Sequence, residues 1–233
     1  MKSTISILCH TALPEAKACL ASVQAGGGDF DLILTANGNA DASAYFHELA
    51  DYSPNIRVVT NLDNMGFIEP NRVALSMTET PLFVLLNDDA IVPHGWLDKI
   101  QATFAKHENA ALVGRKGGCT MLKPDGIGTR GPFLDYIDGA CLACRTDLVK
   151  KHGLFSPELS MAYFEDSDLS LRMRELGHTI HQAPFTIEHK GGTTSRTVPG
   201  LRSHFQRNQA WFQQRWSHYL TTRTFASADA QES

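Results

Sequence analysis

Pro81-Leu-Phe-Val-Leu-Leu-Asn-Asp-Asp89 is the stretch on which the fold turns. Six uncharged residues, Pro81 to Leu86, rich in β-formers, stop abruptly in Asn87, Asp88 and Asp89. A short apolar run of this kind predicts a strand buried on both faces, as in a parallel sheet. Acidic groups just past such a strand lie at the carboxyl edge of the sheet, where open α/β folds bind ligands. Hard divalent cations take oxygen ligands, so carboxylates there suit Mg2+ or Mn2+ holding a phosphorylated substrate. The plainer alternative is a polar strand end feeding a turn.

Outward from this strand, the first hundred or so residues alternate strand-like and helix-like segments. Strands are expected at Thr4–Cys9, Asp31–Ala36, Ile56–Thr60, Leu82–Leu86 and Ala111–Val113. Helices are expected at Pro14–Gln24, Ala42–Ala50, Ile68–Met77 and Trp96–His107. Such alternation predicts a mostly parallel sheet flanked by helices. After residue 115 the character changes. Lys116–Pro132 is rich in glycine and reads as a loop or loose hairpin. Tyr136–Arg145 reads as a strand, Glu165–Leu176 as a helix ending at Gly177, and Thr179–Ala183 as a last strand. Gly191-Gly192 opens a second flexible segment, Leu201–Arg223 reads as a C-terminal helix, and the last eight residues as a disordered tail. The turn after the first strand, His10-Thr-Ala-Leu-Pro14, holds no glycine, and no phosphate-cradling Gly-rich loop with Lys-Ser/Thr occurs. Dinucleotide-binding and P-loop chemistry are therefore poor fits.

The composition of the 233-residue chain, 42% hydrophobic and 20% charged, is ordinary for a soluble globular protein. No apolar run approaches the roughly 18–20 residues that span a bilayer. A formal charge of −4 argues against bulk nucleic-acid binding. Five cysteines, an odd number without framework spacing, fit a reduced, cytoplasmic setting. Cys141-Leu-Ala-Cys144 has redox-motif spacing, but its apolar surroundings favour two buried small hydrophobes. Leu201–Arg223 carries Arg202, Arg207, Arg215 and Arg223 with interleaved aromatics and no acid. Peripheral contact with anionic membrane and packing of the aromatics on the domain are both open for it.

Two further clusters bear chemistry. Tyr163-Phe-Glu-Asp-Ser-Asp168 runs two aromatics into acids at a helix start, where free N–H groups favour anions. Thr186-Ile-Glu-His189-Lys-Gly-Gly192 sets a histidine before paired glycines, where a neutral imidazole can ligate a metal. Together and in this order, the clusters resemble the inverting nucleotide-sugar glycosyltransferases of glycosyltransferase family 2, and within it the bacterial rhamnosyltransferase-like branch. The resemblance runs from Ile5 to about Trp216. Leu13-Pro-Glu-Ala-Lys-Ala-Cys-Leu-Ala-Ser-Val23 looks like the family's first helix, and Asn61-Leu-Asp-Asn-Met-Gly-Phe67 with Asn71 like its Asn-rich segment. Asn87-Asp88-Asp89 stands at its metal motif, Asp138-Gly-Ala-Cys-Leu142 at its acceptor-side strand, and Glu165-Asp166-x-Asp168 at its base motif. His189 matches the histidine closing the site. The chain departs from the family at Ala36-Asn37-Gly38, where an acid usually precedes, and at Asn87, which stands in for an aspartate.

The resemblance implies a single GT-A domain over residues 1–225: a nucleotide-binding half (1–115), an acceptor and catalytic half (116–200) and a C-terminal helix (201–225). It implies that Asp89 and His189 hold Mn2+ or Mg2+, and that Asn37, Asn64, Asn87 and Asp88 contact a uridine- or thymidine-type nucleotide-diphosphate sugar. Gly139, Ala140 and Glu165 would face a hydroxyl-bearing acceptor, and Asp166 would be the general base. Asp168 would position the acceptor or cap the helix. Lys116–Pro132 and Gly191–Gly200 are open to two readings, a flap that orders over the donor or two ordinary surface loops. Nucleotidyltransferase chemistry is a second class, but it normally brings an early Gly-rich basic loop. A non-catalytic sugar- or partner-binding relative is a third, opposed by the joint presence of Asp89, Asp166 and His189. Glycosylation of modified DNA bases is a variant of the first.

Overall fold

The computed structural model describes residues 1–117, 127–130, 133–191 and 198–226. The middle of the Lys116–Pro132 segment, most of Gly191–Gly200, Cys119 and nearly all of the tail lie outside the described residues, and with them the flap reading and the disordered end.

The alternating half forms β1 (Ser3–Cys9), α1 (Leu13–Gly26), β2 (Phe30–Asn37), α2 (Ala40–Asp51), β3 (Ile56–Asn61), α3 (Ile68–Ser76), β4 (Leu82–Asn87), β5 (Ala90–Ile91), α4 (Trp96–Lys106) and β6 (Ala110–Lys116). The second half adds β7 (Thr129–Arg130), β8 (Phe133–Leu134), β9 (Ile137–Arg145), α5 (Thr146–His152), α6 (Glu165–Glu175), β10 (Thr179–Gln182) and β11 (Glu188–His189). Helices α7 (Leu201–Arg215) and α8 (Ser217–Thr222) follow. Seven strands make one sheet in the order β10-β6-β9-β4-β1-β2-β3. The β1–β2, β1–β4, β2–β3 and β6–β10 pairs are parallel, and β9 is antiparallel to both β4 and β6.

The strand at residues 82–87 is apolar as far as Leu86 because both its faces are covered. Leu82, Val84 and Leu86 join a core with Val23 of α1, Phe46 of α2 and Trp96 of α4. Phe83 and Leu85 point the other way, into a core with Leu75 of α3, Leu169 of α6 and Phe212 of α7. Period-two alternation across a sandwiched sheet produces this division. Cys141 and Cys144, three apart on β9, fall into these two opposite cores, so they do not form a redox pair. Burial pushes the Cys141 thiol up to about 12, which keeps it inert.

The segment expected as one C-terminal helix breaks at Trp216 into α7 and α8. Its aromatics Phe212, Trp216 and Tyr219 are buried in the core that also holds residues of α6 and β9. Among the described residues, no helix is long and apolar enough to cross a membrane.

Candidate active site

Parallel strands β1, β2 and β4 end side by side, and a cavity of about 590 Å³ opens at their carboxyl edge. Asn37, Asn64, Asn87, Asp88, Asp89 and His189 line it, as do Gly139, Ala140, Glu165 and Asp166 across from them in the chain's second half. All the residues expected at the site therefore share one concavity, although what they do there differs from expectation in several cases.

His189 arrives by a device too short to leave a sequence pattern. The two-residue strand β11 pairs antiparallel with β5, setting His189 opposite Ala90 and so beside Asp89. His189 Nε2 is 3.1 Å from Asp89 Oδ1, and the Asn87 amide is 3.2 Å from the same nitrogen. Arg115 Nη1 donates to His189 Nδ1 at 3.4 Å and pairs with Asp138 at 2.9 Å. The Gly191 N–H donates to the other Asp89 oxygen at 2.9 Å. Asp88 is buried with Oδ2 unpartnered among the described residues, and burial, then the Asp89 charge, pushes its carboxyl up to about 7.

Among the described residues no cluster of three or more His, Cys, Asp or Glu side chains is set to hold a metal. The Asp89–His189 pair, next to an orphaned buried carboxylate oxygen, instead suits a hard cation that takes its remaining ligands from water and a substrate diphosphate. The residues present fit a cation shared with substrate rather than one caged by protein.

Asn37 is corrected by its surroundings. It is fully buried at the end of β2, and its Nδ2 donates to Asn64 Oδ1 at 2.8 Å and to the Gly66 carbonyl at 3.0 Å. Its Oδ1 accepts from Asn61 Nδ2 and from the Met65 N–H, both at 3.0 Å. Two donors and two lone pairs are the whole capacity of a carboxamide, so none is left to pair with a nucleotide base. Asn37 instead builds the loop over residues 61–66. The Asn64 oxygen is also taken, by Asn37 and by the Gly66 N–H at 2.9 Å, which leaves the amide nitrogen as the side-chain group that these bonds do not engage. Gly66 has φ +77°, and a Cβ there would lie 2.6 Å from Met161 Cα. Neither the conformation nor the space accepts a side chain. Gly66→Ala should therefore destabilise the fold by about 1–3 kcal/mol, read as a lower denaturation midpoint at an unchanged slope.

On the opposite wall, Glu165 and Asp166 open α6. The residue before them, Phe164, has φ +72°, and Met161 and Tyr163 are also left-handed. Asp166 Oδ2 accepts from the Gly139 N–H at 3.0 Å, and Oδ1 from the Ser167 N–H at 2.6 Å. The Ala140 N–H goes to Asp138 Oδ1 at 2.9 Å. The amides of Gly139 and Ala140 are thus spent on carboxylates and do not serve as donors into the cavity. Glu165 is buried with Oε2 unpartnered among the described residues. Burial, then the charge of Asp166, raises its carboxyl to about 8. Asp168 does not line the cavity. It is fully buried and accepts from Ser156 Oγ at 2.6 Å, Arg172 Nε at 2.8 Å and Trp216 Nε1 at 3.0 Å, locking α6 to α8 through the intervening tryptophan.

Arg115, the partner of Asp138 and His189, was not anticipated. The signal was present, since Arg115 ends the apolar run of β6 much as Asn87 ends that of β4.

Residues 4–133, more than half of the chain, match the family described as Glycosyl transferase family 2. The uncharacterized protein y4gI of Sinorhizobium fredii is 23% identical over 227 residues, covering 81% of this chain and 24% of that protein. Among solved structures, S. aureus TarS 1-349 in complex with UDP-GlcNAc has a TM-score of 0.66 at 15% identity, covering 89% of this chain and 64% of that one. Mannosyltransferase PcManGT from Pyrobaculum calidifontis in complex with GDP-Man and Mn2+ has a TM-score of 0.61 at 12% identity, covering 78% and 54%. The chain thus spans about a quarter of the curated relative and less than two-thirds of either structure. The helix-flanked, mostly parallel sheet has the GT-A architecture of these neighbours, and the chain belongs to glycosyl transferase family 2.

Proposed function

We propose that the protein is a metal-dependent, inverting glycosyltransferase that moves a sugar from a nucleotide-diphosphate sugar to a hydroxyl group. The observation that carries this is the shared cavity, in which the Asp89–His189 pair and the Glu165–Asp166 pair line one space at the carboxyl edge of the sheet. Nucleotide sugars in TarS and PcManGT, and Mn2+ in the latter, support the same class of donor.

Asp89 and His189 would hold the divalent cation, Mn2+ or Mg2+. A cation there neutralises the diphosphate and polarises its bond to the sugar. Asn87 and Asp88 orient the donor beside it, and the Asn64 amide nitrogen is the candidate contact to a uracil or thymine edge. Asp166, fixed by the Gly139 N–H, takes the proton of the acceptor hydroxyl. The hydroxyl oxygen then bonds to the anomeric carbon as the bond to the diphosphate breaks. The electron pair leaves with the diphosphate, and configuration inverts in the one displacement. The acceptor is a hydroxyl-bearing molecule, a glycan, a lipid-linked saccharide or another, and Tyr163 and Phe205 are among the residues lining the cavity it would enter. Buried free thiols at Cys9, Cys19, Cys141 and Cys144 support a reducing, cytoplasmic setting.

A thermal-shift panel of UDP, dTDP and GDP, each with and without Mn2+, tests this. A nucleotide at 100 times its Kd stabilises by about 2.7 kcal/mol. For a domain of this size that raises Tm by roughly 5–10 °C. UDP or dTDP should produce the rise only with Mn2+, and EDTA should cancel it. No shift from any nucleotide in the presence of Mn2+ would overturn the proposal.

A further inference from the structure

We infer that Asn208, in the middle of α7, is a positioning residue for transfer. It holds the left-handed loop that joins the nucleotide half to the base, and the inference rests on the transferase reading above. Asn208 is fully buried. Its Nδ2 donates to the carbonyls of Ser160 at 2.9 Å, Ala162 at 3.0 Å and Tyr163 at 3.2 Å, and its Oδ1 accepts from the Ser160 N–H at 3.4 Å. One interior carboxamide thereby meets four backbone groups of a five-residue stretch.

That stretch needs an anchor. Met161, Tyr163 and Phe164 have φ values of 64°, 80° and 72°, and none is a glycine. Side chains in this region carry a backbone cost that persists only where the surroundings fix the conformation. The two ends of the loop show what the conformation is for. At one end the Met161 carbonyl accepts from the Phe67 N–H at 2.6 Å and the Ile68 N–H at 3.1 Å, and Gly66 packs on it with no room for a Cβ. At the other end Phe164 is the residue before α6, its carbonyl accepts from the Asp168 N–H at 2.8 Å, and Glu165 and Asp166 follow directly. The loop therefore sets the spacing between the Asn64–Phe67 wall and the carboxylate of Asp166. Asn208 does not itself line the cavity and acts only through this loop, whose residues 161–164 do. The C-terminal helices are in this account a strut of the active site, reinforced where Trp216 bonds Asp168 and Tyr219 bonds Asp135 at 2.6 Å.

The test compares the full chain with Asn208→Ala, which removes all the contacts, and Asn208→Ser, which retains one short donor. Hydrogen exchange is followed peptide by peptide, alongside titration with UDP plus Mn2+ and hydrolysis of UDP-GlcNAc. In the alanine variant the amides of Phe67, Ile68 and Gly139 should exchange at least about 10-fold faster, while residues 3–37 keep their protection. The Kd for UDP with Mn2+ should stay within about threefold, and kcat should fall roughly 10- to 100-fold at a similar KM, as a misplaced catalytic group requires. The serine variant should lie between the two in every readout, and it decides the matter where the alanine variant does not fold. Unchanged exchange at Phe67, Ile68 and Gly139, protection lost evenly across the chain, or intact kcat would each overturn the inference. A wild-type chain that binds no nucleotide with Mn2+ sinks the transferase reading instead. The exchange measurement then still decides whether Asn208 holds the loop against both walls.

Discussion

Asp166→Asn is expected to lower transfer by roughly 10²–10⁴-fold, while the Kd for nucleotide and metal stays near that of the wild type. The asymmetry follows from which wall the residue belongs to. Asp166 opens α6 and bonds to the Gly139 amide, whereas Asp89 and His189, the proposed cation ligands, lie between β4 and β5 and on β11. Asparagine has the same shape but no basic oxygen pair, so it removes the proton acceptor and little else. It does bring one structural conflict. Asp166 accepts at both oxygens, from Gly139 on one side and Ser167 on the other, and an amide nitrogen turned to either would face another donor. A stability loss of about 1–3 kcal/mol should accompany the substitution, so the melt is recorded with the kinetics. A loss confined to kcat in a chain that still melts cooperatively supports the base assignment. Near-normal turnover would remove Asp166 from that role.

How much of this was legible beforehand depended on the length of chain over which a signal accumulates. Residues 82–86 read as a doubly buried strand because five consecutive apolar positions are buried, and the acids beyond them fell at the sheet edge as topology requires. Helices α1 to α4 emerged for the same reason, with boundaries off by a residue or two, while β5 and β11 could not. Two-residue strands have no period, yet their pairing is what brings His189 to Asp89 across 100 positions of sequence. Side-chain saturation was equally invisible. Asn37 stands where a base-reading residue is expected, but its four hydrogen bonds all close within the protein. The loop at residues 160–164 gave no warning either, because its left-handed residues are methionine, tyrosine and phenylalanine rather than glycine. Asn208 looked like one more polar position on a basic helix, and only its contacts separate it from the exposed Arg207 beside it.

Glu165→Gln is expected to stabilise the protein at alkaline pH and to leave it almost unchanged in acid. Glu165 is 7% exposed, with one oxygen unpartnered among the described residues, and burial with the adjacent Asp166 charge raises its carboxyl from 4.5 to about 8. The sign follows from proton counting. Between these two values the folded chain holds a proton that the unfolded chain has released, so stability falls as pH rises through the window. Below about 4.5 both states carry the neutral acid, and glutamine imitates it. Above about 8 the wild type carries the full penalty while the amide carries none. A displacement of this size corresponds to a few kcal/mol, at about 1.4 kcal/mol per pH unit. That makes a Tm gap on the order of 10 °C at pH 9, closing toward pH 4. Melting both proteins across that range measures it, and a gap that stays constant with pH would mean that Glu165 titrates alike in the folded and unfolded chain. The cost has a functional counterpart: a buried acid kept neutral near pH 7 can donate a hydrogen bond beside Asp166, and an acceptor hydroxyl oxygen is a group that could receive it. Glutamine keeps a donor at that place. Turnover in Glu165→Gln should therefore fall less than in Glu165→Ala, even though the glutamine variant is the more stable at high pH.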